Sequence, residues 1–228
     1  MSDGERAEGL DLVIIGAGGH GTEVLSYIGD LVREGASIRV RGFVDEGKAP
    51  GRWKGSEILG GFAELEAFLE HEGRPAVRYI TAVGDNRARE ACVDKVGRVT
   101  LRPLEPWTLL HSRSVAGADV CVGPGTCLAP GSILTTNVRI GRHCIVNVGA
   151  SISHDTELGD YVNINPGAVV AGNVRIGAGC YIGAGATIID RVTIGEWSTV
   201  GAGAVVVGDL PPFVTAVGVP AKVIKRHR

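Results

Sequence analysis

A branched aliphatic residue stands at every sixth position between Val122 and Val206. The series comprises Val122, Leu128, Leu134, Ile140, Val146, Ile152, Leu158, Ile164, Val170, Ile176, Ile182, Ile188, Ile194, Val200 and Val206. A period of six matches neither the α-helix, with about 3.6 residues per turn, nor the two-residue repeat of a β-strand. It is typical of a hexapeptide parallel β-helix, in which each unit forms one short strand and one corner and the coils stack. We therefore expect these side chains to fill the interior of a prism.

The residues around each aliphatic position support this fold. Two residues before each one stands a small or β-branched residue, which we expect to point inward as well. The residue that follows is often glycine or asparagine, at Gly123, Gly141, Asn147, Gly159, Asn165, Gly177, Gly183, Gly195 and Gly201. Because glycine and asparagine tolerate a left-handed backbone best, the pattern predicts that conformation at these positions. The unbroken register disfavours the alternative, a glycine-rich Greek-key sandwich.

Before the repeat, strand patterns alternate with helix patterns. The apolar run from Leu12 leads into the glycine-rich segment Gly16–Gly21 and then into a helical pattern. A second strand ends at Asp45 and a third at Gly84, and each precedes another helical pattern. Such units predict a Rossmann-like βαβαβα domain with a parallel sheet, whose ligands lie at the carboxyl ends of the strands.

The glycine-rich segment has the form G-x-G-x-x-G, which lets backbone N–H groups approach a phosphate at a helix N-terminus. Asp45 stands about where a dinucleotide-binding fold carries its ribose-binding acid. Since only one three-strand unit precedes the repeat, a mononucleotide or nucleotide sugar is the better expectation. A tight turn without a ligand is the alternative. His20 could donate to a phosphate or cap the helix, and we favour the phosphate.

These patterns predict four regions. They are an α/β domain at 1–98, a crossover linker at 99–114, a β-helix at 115–210, and a cap and tail at 211–228. The prolines and basic residues of the last region would keep the edge of the final coil from pairing with another chain.

Composition limits the function classes. The net charge is only −2, and basic residues do not interleave with aromatic ones, which argues against a nucleic-acid surface. No signal peptide or long apolar run is evident, so we expect a cytoplasmic protein. The odd set of five cysteines has no C-x-x-C pair, which suits a reducing compartment. We expect Cys144 and Cys180 to fill the core, and we expect no metal.

His154 and Asp155 form the one polar pair in the repeat that suggests chemistry. A carboxylate beside an imidazole orients it and supports its charge while the ring accepts a proton. If one coil contains three hexapeptides, the residue stacked on His154 is Gly172. A glycine there would leave space for a reacting group, and its N–H could stabilise an oxyanion. A solvated corner histidine is the alternative.

Three segments carry a resemblance to a known family. They are N-V-G-A-S-I-S-H-D at 147–155, N-P-G-A-V-V-A-G-N-V-R-I-G at 165–177 and G-V-P-A-K at 218–222. They resemble bacterial sugar acyltransferases of the left-handed β-helix superfamily, in the branch that acetylates nucleotide-linked 4-amino-4,6-dideoxy sugars. Relatives of that branch include sialic acid O-acetyltransferases. The N-terminal segments G-A-G-G-H-G, F-V-D-E and A-V-G-D-N-R are similar to the same branch.

The resemblance implies a homotrimer, acetyl-CoA as co-substrate in the groove between neighbouring β-helices, and a nucleotide sugar on the N-terminal domain. It implies that His154 is the general base and Asp155 its partner. Contacts to the nucleotide sugar are implied at Gly18, His20, Asp45, Gly84, Asn86, Asn147 and Asn163. Backbone contacts to CoA are implied at Gly172 and Ala202. Many members carry a second histidine where this chain has Asn163, so we expect a changed or lost role there and, as one consequence, a different acceptor.

The basic tail adds one further expectation. Lys222, Lys225 and Arg226 cluster beyond the cap, and exposed cations attract phosphate, so we expect them to hold the CoA phosphates. A solvated tail is the alternative. The expected function is acetyl transfer to the amino group, at C4, of a nucleotide-linked amino-dideoxy sugar in glycan or polysaccharide biosynthesis. The alternatives are O-acetylation of a sugar hydroxyl and non-catalytic binding of a nucleotide sugar.

Overall fold

The computed structural model of the protein describes residues 9–71, 77–98 and 104–227. Part of the expected linker, 99–103, lies outside the described residues, as do 1–8, 72–76 and 228. The chain forms two compact units. The first comprises Met1–Val83 and Cys92–Trp107, and the second comprises Gly84–Ala91 and Thr108–Arg228.

The first unit is built on a six-stranded sheet. Its strands are β1 (Leu10–Ile15), β2 (Ile38–Val44), β3 (Gly51–Trp53), β4 (Ser56–Gly60), β5 (Val77–Thr81) and β6 (Glu105–Pro106), in the order β3-β4-β2-β1-β5-β6. The helices are α1 (Gly19–Arg33), α2 (Phe62–His71) and α3 (Asn86–Val96). The parallel pairing of β1 with β2 and β5 confirms the predicted β-α order. The antiparallel β3–β4 pair and β6 were not predicted.

The central position of strand β1 in the sheet explains the apolar run that begins at Leu12. Leu12, Val13, Ile14 and Ile15 are all buried because the strand has neighbours on both edges and is covered on both faces. Helix α3 is divided between the units, since its residues up to Ala91 group with the second unit and the rest with the first.

The second unit is a parallel β-helix with three faces. The first face contains β7 (Leu109–Leu110), β10 (Cys127–Leu128), β13 (Ile145–Val146), β16 (Asn163–Ile164), β19 (Tyr181–Ile182), β22 (Thr199–Val200), β24 (Val214–Val217) and β25 (Lys222–Arg226). The second face contains β8 (Val115–Ala116), β11 (Ile133–Leu134), β14 (Ser151–Ile152), β17 (Val169–Val170), β20 (Thr187–Ile188) and β23 (Val205–Val206). The third face contains β9 (Cys121–Val122), β12 (Arg139–Ile140), β15 (Glu157–Leu158), β18 (Arg175–Ile176) and β21 (Thr193–Ile194).

The register of the strands confirms that one coil contains three hexapeptides. Ile145 pairs with Asn163, and Asn163 pairs with Tyr181, so stacked residues are separated by three repeats. The aliphatic series from Leu128 onward is buried and forms one continuous core. Cys144 and Cys180 are also buried in this core, as expected.

The corner prediction was wrong in its position. From Val122 to Val200 the left-handed backbone occurs three residues after the aliphatic position, at residues such as Asn137 (φ 54°), Asp155 (φ 58°) and Gly185 (φ 64°). The glycine directly after the aliphatic residue has another cause, which is the close approach of the next coil. A Cβ at Gly159 would lie 2.6 Å from the backbone nitrogen of Ala178, and one at Gly183 would lie 2.5 Å from that of Ala202.

The boundaries of the β-helix also differ from the expected 115 and 210. The first coil already begins at β7, inside the expected linker 99–114, because β7 pairs with β10. Ala116 in place of a branched aliphatic residue interrupts the repeat and hides this coil in the sequence. At the other end β24 pairs with β22, and Val214 and Ala216 join the core. The antiparallel strand β25 then closes the first face.

Candidate active site

His154 lies at the corner between the second and third faces, two residues after the end of β14. Its Nδ1 is 2.8 Å from Oδ2 of Asp155. Both side chains are partly exposed, at 54% for His154 and 45% for Asp155, so the pair is accessible to a substrate. Asp155 has the left-handed backbone that each corner of the prism requires, which turns its carboxylate toward the ring.

A third residue orients this carboxylate. Nδ2 of Asn137, one coil earlier, donates to the second oxygen of Asp155 at 2.5 Å. The hydrogen bonds from Asn137 and then from His154 lower the pKa of Asp155 below its ordinary value. Sequence reasoning missed Asn137, although its position in the same corner as Asp155, one coil away, was a usable signal.

Gly172 stacks on His154, as the sequence predicted, but the space it leaves is used differently. A Cβ at Gly172 would lie 2.6 Å from Cε1 and Nε2 of His154, so the imidazole itself occupies the space that was expected for a reacting group. The N–H of Asn173 also donates to the carbonyl of His154 at 2.9 Å. The absence of a side chain at Gly172 therefore allows the imidazole of His154 to lie against the next coil.

The contact between Nδ1 and an ionised carboxylate places the proton of a neutral imidazole on Nδ1. Nε2 then carries the lone pair and can accept a proton from a substrate. Asn137 therefore orients the carboxylate of Asp155, and that carboxylate orients the ring of His154. The atom that accepts a proton is Nε2 of His154.

Asn147 and Ala202 lie at a different corner of the prism, between the first and second faces. Asn147 is half-buried, and its Oδ1 accepts from the N–H of Val148 at 2.8 Å. Ala202 is exposed in the turn after β22. The expected CoA and sugar contacts of one chain are therefore divided between two corners.

In the first unit, the glycine-rich segment contains two kinds of glycine. Gly16 has a positive φ of 101°, and a Cβ at Gly21 would lie 2.3 Å from the carbonyl oxygen of Gly16, so the fold requires both. At Gly18 an added Cβ would meet no other described atom within 4 Å. The fold leaves open space at Gly18, which is the feature expected of a glycine that admits a ligand.

His20 and Asp45 are held by nearby groups of the same unit. The residue before α1 is Gly18, so His20 does not cap the helix; its Nδ1 lies 3.0 Å from Oε2 of Glu23. The two oxygens of Asp45 accept from the N–H of Ala17 at 2.8 Å and of Gly47 at 2.9 Å. Asp45 therefore connects the loops that follow β1 and β2.

Gly84 and Asn86 belong to the second unit, where Gly84 contacts Asn163 and Asn86 contacts backbone carbonyls of the β-helix. Gly84 is exposed, and its carbonyl accepts from Nδ2 of Asn163 at 2.6 Å. Asn86 and Asn163 are both buried. Sequence reasoning missed Arg89, which is fully buried in the same cluster, and burial lowers its pKa to about 10.

The basic tail lies on the exposed strand β25. Lys225 and Arg226 line a surface cleft of about 530 Å³ together with Arg87 and Trp197, whereas Lys222 is not among its lining residues. The guanidinium of Arg87 stacks on the Trp197 ring at 4.4 Å. Two of the three expected phosphate-binding cations therefore share one cleft on the first face.

Within 9–71, 77–98 and 104–227, no helix is long and apolar enough to cross a membrane. The same part of the chain holds no group of three or more His, Cys, Asp or Glu side chains suited to a metal ion. Burial raises the pKa of both Cys144 and Cys180 to about 12, so neither is a reactive thiol.

A β-helix of hexapeptide repeats with a corner imidazole, an orienting carboxylate and a stacked glycine defines an acyltransferase of the hexapeptide class. Residues 11–96 match the PglD N-terminal domain family, and residues 173–208 match the bacterial transferase hexapeptide family (six repeats). The chain is 31% identical over 151 residues to GDP-perosamine N-acetyltransferase of Escherichia coli O157:H7, a match that covers 65% of this chain and 64% of that relative.

Two solved structures cover nearly the whole chain. The acetyltransferase domain of PglB from Neisseria gonorrhoeae FA1090 is 30% identical with a TM-score of 0.82, over 94% of this chain and 99% of that one. A histidine-to-asparagine variant of perosamine N-acetyltransferase from Caulobacter crescentus, in complex with CoA and GDP-perosamine, is 32% identical with a TM-score of 0.83, over 94% and 97%. The chain belongs to this family of hexapeptide-repeat sugar acetyltransferases, and the predicted Rossmann-like domain and left-handed β-helix are confirmed.

Proposed function

We propose that this protein transfers an acetyl group from acetyl-CoA to the amino group of a nucleotide-linked amino-dideoxy sugar, with His154 as the general base. The observation that carries the proposal is the hydrogen-bonded row of Asn137, Asp155 and His154, which leaves Nε2 of an exposed imidazole as a proton acceptor. Relatives that cover nearly the whole chain were solved with CoA and GDP-perosamine.

The chemistry follows from the two ring nitrogens. The amine nitrogen attacks the thioester carbonyl carbon, a C–N bond forms, and the amine must lose a proton or the intermediate reverts. Nε2 of His154 takes that proton while Asp155 supports the imidazolium. The C–S bond then breaks, and the imidazolium returns the proton to the leaving thiolate. The N–H groups of Gly172 and Ala202 are our candidates for stabilising the oxyanion and for contacting CoA.

Acceptor and donor are assigned to different parts of the chain in this proposal. Gly18, His20 and Asp45 bind the nucleotide sugar, because the fold leaves open space at Gly18 beside the start of α1. We assign the acetylated position to C4, as the resemblance to the branch that acetylates 4-amino-4,6-dideoxy sugars implies. Lys222, Lys225 and Arg226 supply positive charge for the CoA phosphates. The five cysteines form no disulfide within the described part of the chain, which fits a cytoplasmic enzyme of glycan biosynthesis.

The three faces of the prism differ in a way that supports a homotrimer. The outward residues of the third face include Arg139, Glu157 and Arg175, which alternate in charge along the ladder, as on a solvated face. The second face instead exposes Val115, Ile133 and Val169. Ser151 and Thr187 are the small polar residues that stack on Val169, so this face carries no charge there. Exposed apolar side chains on a rigid face mark an interaction surface, and we assign the second face to contacts between copies of this chain.

Product analysis tests the proposed reaction. The protein is incubated with acetyl-CoA and with GDP-, UDP- or dTDP-linked 4-amino-4,6-dideoxy sugars, and thiol release and the mass of the product are measured. We expect one acetyl group in a product that survives mild alkali, because an amide resists hydrolysis. An alkali-labile product would indicate an O-acetyltransferase, and binding without thiol release would indicate a non-catalytic protein. The matching sugar with a hydroxyl at C4 is the control.

A further inference from the structure

The segment Gly84–Ala91 is fastened to the β-helix by buried polar side chains. Nδ2 of Asn86 lies within hydrogen-bond distance of the carbonyls of Tyr161 (3.0 Å), Gly179 (3.0 Å) and Cys180 (2.9 Å). These carbonyls belong to two stacked coils at the corner before the first face. A single amide group thus ties the first turn of α3 to the backbone of the prism.

Arg89 extends the same attachment. Its Nε donates to the carbonyl of His143 at 2.9 Å, and its Nη2 donates to the carbonyl of Tyr161 at 2.9 Å and to Oδ1 of Asn163 at 2.6 Å. Nη1 lies 3.4 Å from the carbonyl of Gly84. A guanidinium suits this place because its planar, always-charged group carries five N–H donors.

Asn163 completes the cluster by joining both ends of the segment. Its Oδ1 accepts from Arg89, and its Nδ2 donates to the carbonyl of Gly84 at 2.6 Å. A donor on one side and an acceptor on the other fix which way the amide points. The side chain is only 3% exposed, so a substrate cannot reach it without displacing Gly84–Ala91.

We propose that Asn163 is a positioning residue, which with Arg89 sets the backbone of Gly84 and the first turn of α3 for the nucleotide sugar, and that it does not contact the reacting groups. This inference rests on the proposed function for its consequence, since Gly84 and Asn86 are expected contacts of the acceptor. Asn163 then affects binding of the acceptor by holding the segment Gly84–Ala91 in place. His154 acts separately, in the proton-transfer step.

Hydrogen–deuterium exchange tests the attachment without reference to activity. The N–H groups of Ala88 and Arg89 are bonded to Asp85, so their exchange reports whether the segment is held. In Asn163→Ala we expect these amides to exchange about tenfold faster, the effect of losing one hydrogen bond to a charged group. Ser198→Ala is the matched control, because Ser198 is buried and makes two hydrogen bonds in the β-helix but none to this segment. Unchanged exchange in Asn163→Ala would overturn the proposal.

Steady-state kinetics test the consequence. We expect Asn163→Ala to raise KM for the nucleotide sugar about tenfold, by the same lost hydrogen bond, and to leave KM for acetyl-CoA and the pH profile of kcat unchanged. Asn163→Asp is a second variant. It keeps an oxygen that accepts from Arg89, but its other oxygen would face the carbonyl oxygen of Gly84 without a donor between them. It should therefore also raise KM for the nucleotide sugar. A fall in kcat with unchanged KM would show that Asn163 meets the reacting groups and would overturn the proposal. If the wild-type protein released no thiol, the proposed function would fail while the exchange result still decided the attachment.

Discussion

The two ring nitrogens of His154 have different partners, and this difference leads to the first prediction. His154→Ala should lower kcat by roughly a hundredfold to ten-thousandfold, the usual loss when a general base is removed. Asp155→Asn should cost less, because the imidazole remains and loses only orientation and charge support. Circular dichroism should show both variants folded, since the side chains are partly exposed. A folded His154→Ala enzyme with near-normal kcat would contradict the assignment.

His143 lies in a very different environment and gives a prediction about pH. It is buried and stacked on Tyr161, and its pKa is lowered to about 4 by burial first and then by Arg142 and Arg89, against a smaller opposing effect of Asp160. Above pH ~6.5 the ring is neutral in both states. As the pH falls, the unfolded chain takes up a proton that the folded chain does not, so stability is lost between pH ~6.5 and ~4.

For His143 this loss should reach about 2 kcal/mol between pH 7 and pH 5. His143→Asn removes the titrating group and keeps a residue that tolerates the left-handed backbone found there. Urea unfolding at the two pH values should therefore show a smaller difference for the variant than for the wild type. Equal differences would show that His143 does not contribute to the acid sensitivity.

Residue by residue, the sequence predicted what the repeat and the motif could locate. His154, Asp155 and Gly172 follow from a register of three hexapeptides per coil. Asn137 was missed because its role depends on the direction in which a left-handed corner residue points. Arg89 and Asn163 could not be paired from sequence, since their contact joins segments far apart in the chain and becomes visible only when burial is known.

At the scale of the elements, period alone determined the strands of the β-helix but not the conformation of its corners. A period of six places a strand and a corner in each repeat, yet it does not say which corner residue has a positive φ. Glycine serves two needs in one corner: close stacking directly after the strand, and the left-handed backbone two residues later. In the first unit, the buried parallel strands were predicted correctly. The short β3–β4 pair was not, because its residues show too little apolar pattern to indicate strands.

The two classes of corner glycine should respond differently to substitution. Gly159→Ala should lower the free energy of unfolding by roughly 2 to 3 kcal/mol, because the added Cβ would meet the backbone of the next coil at 2.6 Å. Gly185→Asn should change it by less than about 1 kcal/mol, since asparagine accepts the left-handed backbone and an added Cβ would meet no described atom within 4 Å. Urea denaturation of the two variants would compare them directly. Equal losses would contradict this division of the glycines.

At the scale of the whole molecule, the three faces of the prism have three different surfaces. The first face carries the buried attachment of Gly84–Ala91 at Asn163, the third face is charged, and the second face is apolar and exposed. Composition could not reveal this, because the outward residues of the three faces are interleaved along the chain. Outward residues that are three hexapeptides apart lie on the same face, and this is known only once the register is known.

The assembly prediction follows from that sorting. Val169 lies in the second face with 42% of its surface exposed, between Ser151 and Thr187 in the neighbouring coils. If this face joins copies of the chain, Val169→Glu would bury a charge without a partner, so we expect the variant to elute as a monomer and the wild type as the proposed trimer. Thr193→Glu, an outward position of the charged third face, is the matched control and should leave the assembly unchanged. Light scattering after size-exclusion chromatography gives the mass of each species. If Val169→Glu kept the wild-type mass, the second face would not be the interface, and a wild-type monomer would exclude the trimer altogether.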